Sequence, residues 1–283
     1  MAAKNMPRAC VMGHPVAHSR SPMLHGYWLR TLGLNGAYEF ADVAPENFEA
    51  FFRGLSANGF AGGNITKPHK EEAFRLVGRR ERAADAIGAV NTVWYEDGVL
   101  VGGNTDWLGI VLSLDAIHPR WNASPGRAVV MGAGGAARAA SYGFLQRQFS
   151  VAIVNRTIAR ADKLAAELGS RVTVHSFGEL PRLLERADVL INTTSLGQAG
   201  NPPLDIDLTG LKNSAIVYDV IYVPLETALL KAAKRAGHGT VDGLSMLLYQ
   251  AVPGFAHWFG VTPTVTAEQR AILEADIRQK SGG

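Results

Sequence analysis

The chain has 283 residues, 47% of them hydrophobic and 19% charged. That composition excludes a disordered or fibrous protein and leaves room for about two domains. Its 28 basic and 25 acidic residues give a net charge of only +3, with no long run of one sign, so a nucleic-acid partner is not expected. A single cysteine, Cys10, excludes an intramolecular disulfide framework and a cysteine-based zinc cluster. No apolar run approaches the ~20 residues of a membrane span, and no apolar segment with a cleavage site opens the chain. The expectation is a cytoplasmic protein with no membrane partner.

Short β-rich stretches alternate with helical ones, the pattern of an α/β protein with mostly parallel sheets. In the first third, strands are predicted near 8–12, 36–42 and 59–65, separated by helices near 22–33, 45–57 and 69–77. Ser21-Pro22 makes a good helix opening, with serine able to cap free N–H groups and proline tolerated at the first helical position. From Asp115 to Gly126 the chain gathers Pro119, Asn122, Ser124, Pro125 and Gly126, a cluster of breakers that reads as a domain junction. Beyond it, strands at 127–131, 151–155, 171–175, 189–193 and 216–221 alternate with helices at 135–147, 158–168, 179–186 and 225–236. After Asp242-Gly243 only helices follow, near 245–258 and 266–279. Lacking strands of their own, they are expected to return to the first domain. The domains are therefore expected at 1–107 for substrate binding and catalysis, 108–243 for a Rossmann-type dinucleotide domain, and 244–283 for the returning helices.

Gly132-Ala133-Gly134-Gly135-Ala136-Ala137 follows the apolar strand Ala128–Met131 and opens a helix. This is the G-x-G-x-x-A dinucleotide fingerprint in its strand–turn–helix setting, where the helix N-terminus offers N–H donors to a pyrophosphate. About 20 residues on, where an NAD site places an acid for the ribose hydroxyl, the chain carries Asn155-Arg156-Thr157, with Arg160 one turn further. A carboxylate there would repel a 2′-phosphate, whereas a guanidinium grips it, so NADP rather than NAD is expected. Asn192, Thr193 and Ser195, after another apolar strand, either line the ligand crevice or close the turn.

Four polar islands stand out before the fingerprint: Gly13–Pro22, Asn64–Lys70, Gly88–Thr92 and Gly102–Asp106. Ser19 and Ser21 precede a helix, where a substrate carboxylate is well received. Asn64, Thr66, Asn91 and Thr92 are neutral donors and acceptors suited to a polyhydroxylated ring. His14 and His18 lie four apart, but Pro15 intervenes and no carboxylate accompanies them, so no metal is expected.

These residues resemble the shikimate dehydrogenase family. The likeness covers nearly the whole chain: G-x-P-x-x-H-S-x-S-P at 13–22, N-I-T-x-P-x-K at 64–70, G-A-V-N-T at 88–92 and N-T-D-x-x-G at 104–109, then G-A-G-G-A-A-R-A at 132–139, N-R-T-x-x-R at 155–160 and N-T-T-S-L-G at 192–197, and finally the segments 219–227 and 242–250. The resemblance implies NADP(H)-dependent, reversible reduction of 3-dehydroshikimate to shikimate, on the route to chorismate and the aromatic amino acids, in a monomer or homodimer. It makes Lys70 the catalytic lysine and Asp106 its partner on the substrate hydroxyls. Ser19, Ser21 and Tyr222 would hold the carboxylate, while Thr66, Asn91 and Gln250 would bond ring hydroxyls or carboxylate. Thr193, Ser195, Val220, Gly243 and Met246 join the cofactor set. Two positions depart from the usual pattern: Gly26 stands where relatives often carry an amide, and Ser245 where glycine is common. Two other readings compete, a quinate/shikimate or aminoshikimate-type paralogue and a non-catalytic dinucleotide-binding regulator; retention of both Lys70 and Asp106 argues against the regulator.

Overall fold

The computed structural model describes residues 6–281. It divides into two compact units. One runs from the start of the described chain through Thr105 and includes Gln250–Leu273; the other comprises Asp106–Tyr249 and the residues from Glu274 onward.

The first unit is built on a six-stranded mixed sheet. Its strands are β1 (Arg8–Gly13), β2 (Ala37–Asp42), β3 (Gly62–Ile65), β4 (Arg79–Arg80), β5 (Thr92–Glu96) and β6 (Val99–Gly103), in the order β2-β1-β3-β5-β6-β4. Strand β1 runs parallel to β2 and β3, whereas β5 is antiparallel to both β3 and β6. Helices α1 (Ser21–Thr31), α2 (Pro45–Arg53), α3 (Lys70–Leu76) and α4 (Arg82–Ile87) complete its first 105 residues.

The alternation along β1 explains why its sequence is apolar without interruption. Cys10 and Met12 pack into one cluster with Phe48, Phe52 and Ile65, while Ala9 and Val11 pack into another with Tyr38, Trp94 and Trp258. Both faces of the sheet are covered, so both side-chain sets must be apolar. Cys10 is part of that core, and burial pushes its thiol up to about 12. Trp258 donates its indole N–H to the Val93 carbonyl at 2.8 Å, Trp28 donates to Thr264 O at 3.0 Å, and the Gln269 amide reaches Leu24 O at 3.2 Å. These bonds fix the C-terminal stretch onto the first unit.

In the second unit all six strands are parallel. After α5 (Asp106–Ile117) come β7 (Arg127–Met131), α6 (Gly135–Gln146), β8 (Ser150–Val154), α7 (Ile158–Leu168), β9 (Val172–His175) and α8 (Leu180–Leu184). Then follow β10 (Val189–Asn192), β11 (Ile216–Asp219), α9 (Ala228–Arg235) and β12 (Gly239–Val241), and the chain ends in α10 (Gly243–Phe259) and α11 (Ala267–Ser281), of which residues 250–273 belong to the first unit. The strand order β12-β11-β10-β7-β8-β9 is the doubly wound Rossmann arrangement, reversing between β7 and β10. One face buries Val130, Ile153, Ile191 and Tyr218, the other Val129, Ala152, Leu190 and Val217.

Three expectations need correction. The break between units falls at Thr105/Asp106, and the breaker cluster after Asp115 instead links α5 to β7 inside the second unit. Ser21 is not the capping residue of α1: it is the first helical residue, and its N–H is received by Ser19 Oγ at 3.3 Å. Residues 78–105 were given no elements, yet they form α4 and the β5–β6 hairpin. Among the described residues, no helix is long and apolar enough to cross a membrane.

Candidate active site

In the first unit the candidate residues gather where β1 and β3 end. Thr66 N–H donates to Met12 O at 2.9 Å, and His14 N–H to Lys67 O at 3.1 Å. Gly13 permits this approach, because a Cβ there would lie 2.4 Å from Thr66 Cγ2. The turn delivers the chain to Lys70, the first residue of α3. His69, just before it, is buried, lies flat against Phe48 at 4.1 Å and bonds the Val43 carbonyl through Nε2 at 2.7 Å. Lys70 O accepts the Val90 N–H at 3.1 Å. The lysine backbone is thus held on both sides, and its side chain is half-buried.

Asn91 is the hub of the neighbouring network and is only 3% exposed. Its Oδ1 accepts the Thr105 N–H at 2.7 Å and the Thr92 hydroxyl at 3.0 Å. Its Nδ2 donates to Thr105 Oγ1 at 3.2 Å and to Gln250 Oε1 at 3.3 Å. That last bond orients the Gln250 amide with its oxygen toward Asn91. Asn64 has a supporting role: its Oδ1 accepts the Tyr38 hydroxyl at 2.6 Å, and its Nδ2 donates to Thr92 Oγ1 and Asn91 O. Backbone bonds from Ile65 N to Asn91 O and from Asn91 N to Gly103 O join the segments carrying Thr66, Lys70 and Asn91. Ser19 and Ser21 stand at the N-terminus of α1, with their hydroxyls 3.2 Å apart.

The second unit holds the dinucleotide fingerprint at the carboxyl end of β7. Gly132 has φ +111°, and a Cβ on it would meet Thr193 Oγ1 at 2.7 Å, so glycine is required twice over. Gly134 and Gly135 are exposed, with no protein atom within 4 Å of where a Cβ would stand. Nothing in the protein demands glycine at these two positions, and their lack of side chains leaves the loop backbone open to close approach by a pyrophosphate. Ala133 and Ala136 flank them, and Ala137 is fully buried against the sheet. The exposed N-terminus of α6 therefore fits a pyrophosphate.

After β8, Asn155 closes the turn by donating to Thr157 O at 2.8 Å. Arg156, Thr157 and Arg160 are exposed around the start of α7. The donor set, with no carboxylate at position 155, fits a ribose 2′-phosphate.

Beyond the switch point, Thr193 donates its hydroxyl to Met131 O at 2.5 Å, and Ser195 is exposed. Asn192 resolves in favour of turn closure, since its Oδ1 accepts from Thr194 N and Oγ1 while its Nδ2 donates to Leu196 O. Val220 N–H donates to Asn192 O at 3.1 Å, and Tyr222 follows in the same loop. Gly243 opens α10 directly against Val220, whose carbonyl would lie 2.1 Å from a Cβ at that position. Met246, one turn along α10, packs against the sheet core. Asp106, buried, is the first residue of α5. At the two departures, Ser245 bonds Asp242 Oδ1 through both N–H and hydroxyl at 2.9 Å, closing the entry to α10, and a Cβ at Gly26 would approach only the tip of Arg30. The sequence motif that begins at Asp219 gives that residue no role of its own; its carboxylate is buried and accepts three hydrogen bonds.

A doubly wound parallel domain with an NADP-type phosphate loop, joined to a mixed-sheet domain carrying a held lysine, defines a two-domain, NADP-dependent oxidoreductase. Residues 11–93 match the shikimate dehydrogenase substrate-binding domain, and residues 117–199 match the shikimate/quinate 5-dehydrogenase family. The shikimate dehydrogenase (NADP+) of Azorhizobium caulinodans is 54% identical over 97% of this chain and 98% of its own. The chain belongs to the shikimate dehydrogenase family, as an NADP-dependent enzyme acting on a CH–OH group. The Thermus thermophilus shikimate 5-dehydrogenase, solved with NADP(H) and shikimate, is 35% identical with a TM-score of 0.81, over 97% of this chain and 99% of that one. A quinate dehydrogenase from Corynebacterium glutamicum, solved with NAD, superposes at a TM-score of 0.87 with 28% identity, over 95% and 99%.

Proposed function

We propose that Lys70 is the general acid in reduction of 3-dehydroshikimate and the general base in oxidation of shikimate. Bound NADPH supplies the hydride; the protein supplies orientation and the proton. As charge develops on the carbonyl oxygen, the Lys70 ammonium stabilises it and donates the proton, help worth roughly 10²–10⁴ in rate. Asp106 hydrogen-bonds the adjoining hydroxyl of the substrate. Ser19 and Ser21 take the carboxylate at the N-terminus of α1, together with Tyr222. Thr66, Asn91 and Gln250 bond the remaining hydroxyls. Gly132–Ala136 receives the pyrophosphate and Asn155–Thr157 with Arg160 the 2′-phosphate. Thr193, Ser195, Val220, Gly243 and Met246 form the nicotinamide-side wall.

The observation that carries this reading is the fixing of the Lys70 backbone by the His69–Phe48 stack and the Val90 N–H, next to the segment of Asn91, whose side chain in turn holds Gln250. Lys70→Ala should lower kcat by about two to four orders of magnitude while shikimate binding, measured by calorimetry, weakens only a few-fold. A large loss of affinity with near-normal kcat would make Lys70 a binding residue instead. For the cofactor, the exposed Arg156 and the absence of an acid at position 155 favour NADP over the NAD held by the Corynebacterium quinate dehydrogenase.

A further inference from the structure

We propose that Asp219 is a positioning residue that locks two cofactor-side loops of the second unit into one preformed surface. It sits at the carboxyl end of β11, is 0% exposed, and has no role in the proton transfer described above. Its Oδ1 accepts from Asn192 Nδ2 at 3.0 Å and from the Ile221 N–H at 3.1 Å, and its Oδ2 accepts the Thr227 hydroxyl at 2.7 Å.

Each donor belongs to a different piece of the wall. Asn192 simultaneously holds Thr194 and Leu196, so it shapes the turn that presents Thr193 and Ser195. Ile221 lies between Val220 and Tyr222. Thr227 caps α9 by accepting the Leu230 N–H at 3.3 Å, and so ends the 220–227 loop. One buried carboxylate thus satisfies donors from the turn after β10 and from both ends of the loop after β11. Buried charge of this kind is retained only where its hydrogen bonds are made, and removing it leaves several donors unpaired.

Topology limits where the effect is felt. The fingerprint turn follows β7 and the Arg156 site follows β8, on one side of the switch point; β10 and β11 lie on the other. Loss of Asp219 should therefore loosen the nicotinamide half of the cofactor and spare the adenine half. This inference rests on the cofactor placement proposed above.

The substitutions separate the hub from the charge. In Asp219→Asn the retained oxygen can face the two N–H donors while the new amide faces the Thr227 hydroxyl, which can accept. Asp219→Ala removes all three acceptors. Thr227→Val removes the tie to the end of the loop together with the cap on the Leu230 N–H, and serves where Asp219→Ala does not fold. The measurement is equilibrium binding of NADPH and of 2′-phospho-ADP-ribose, which lacks the nicotinamide, at a temperature where each variant is fully folded. Asp219→Ala and Thr227→Val should weaken NADPH on the order of tenfold, with the fragment within about twofold and Asp219→Asn close to the parent protein. Unchanged NADPH affinity in the disrupting variants overturns the proposal, as does equal weakening of NADPH and fragment, which marks general structural damage. Failure of the unmodified protein to bind the fragment overturns the cofactor placement itself, and the inference with it.

Discussion

On the placement proposed above, Arg156 carries cofactor choice, because its guanidinium would meet a phosphate that NADPH has and NADH lacks. Arg156→Ala should raise the KM for NADPH by about tenfold or more, the scale of a lost charge-assisted contact, and leave the KM for NADH nearly unchanged. Equal changes with both cofactors would contradict the 2′-phosphate role. Asp219 gives a pH-dependent consequence. Burial pushes its carboxyl up from 3.8 to about 6, against the pull of its three hydrogen-bond donors. The folded protein therefore binds the proton more readily than the unfolded chain, so this group's stabilising contribution is complete below about pH 3.8 and is lost as pH rises through about 6. Asp219→Asn should gain stability relative to the parent between pH 4 and pH 7 in denaturant titrations; a difference that stays flat with pH would contradict this. At this scale the sequence was legible where chemistry is local, as at Arg156. It does not show that the Asp219 carboxylate ties the β10 and β11 ends together, nor the Tyr38–Asn64 bond, because Asn192 and Asn64 lie 27 and 26 residues from their partners.

The element that most constrains the cofactor half is the turn from β7 into α6. Gly132→Ala places a side chain at a positive φ and drives its Cβ into Thr193 Oγ1. It should cost about 1–3 kcal/mol of stability and weaken NADPH binding; denaturant unfolding and a cofactor titration measure the two effects. Wild-type stability in this variant would show that the turn has room to relax. Most elements could be read from periodicity and breakers, and β7 and α7 coincide with their predicted spans. The β5–β6 hairpin was overlooked although Asp97-Gly98, with φ of 50° and 77°, is a standard two-residue hairpin signal. The helix opening at Ser21 was displaced because Ser19, two residues earlier, receives the N–H.

Across the whole molecule, the alternation of strand and helix specifies the parallel sheet, since each βα pair covers one face and passes to the next strand. Its order, with the reversal between β7 and β10, sets the phosphate loop and the Asn192 turn side by side. The first unit is discontinuous in sequence: Trp258, Thr264 and Gln269 complete a core begun more than two hundred residues earlier. The missing strands after Asp242 point to that return, which covers Gln250–Leu273 rather than all of 244–283, whereas the breaker cluster near Pro119 marks a loop inside the second unit and no domain junction. An NADP-dependent enzyme acting on shikimate should declare itself in kcat/KM for shikimate and quinate, each measured with NADP and with NAD. Shikimate with NADP should exceed every other pairing by at least about tenfold. A quinate–NAD value equal to or above it would contradict both the cofactor and the substrate assignment.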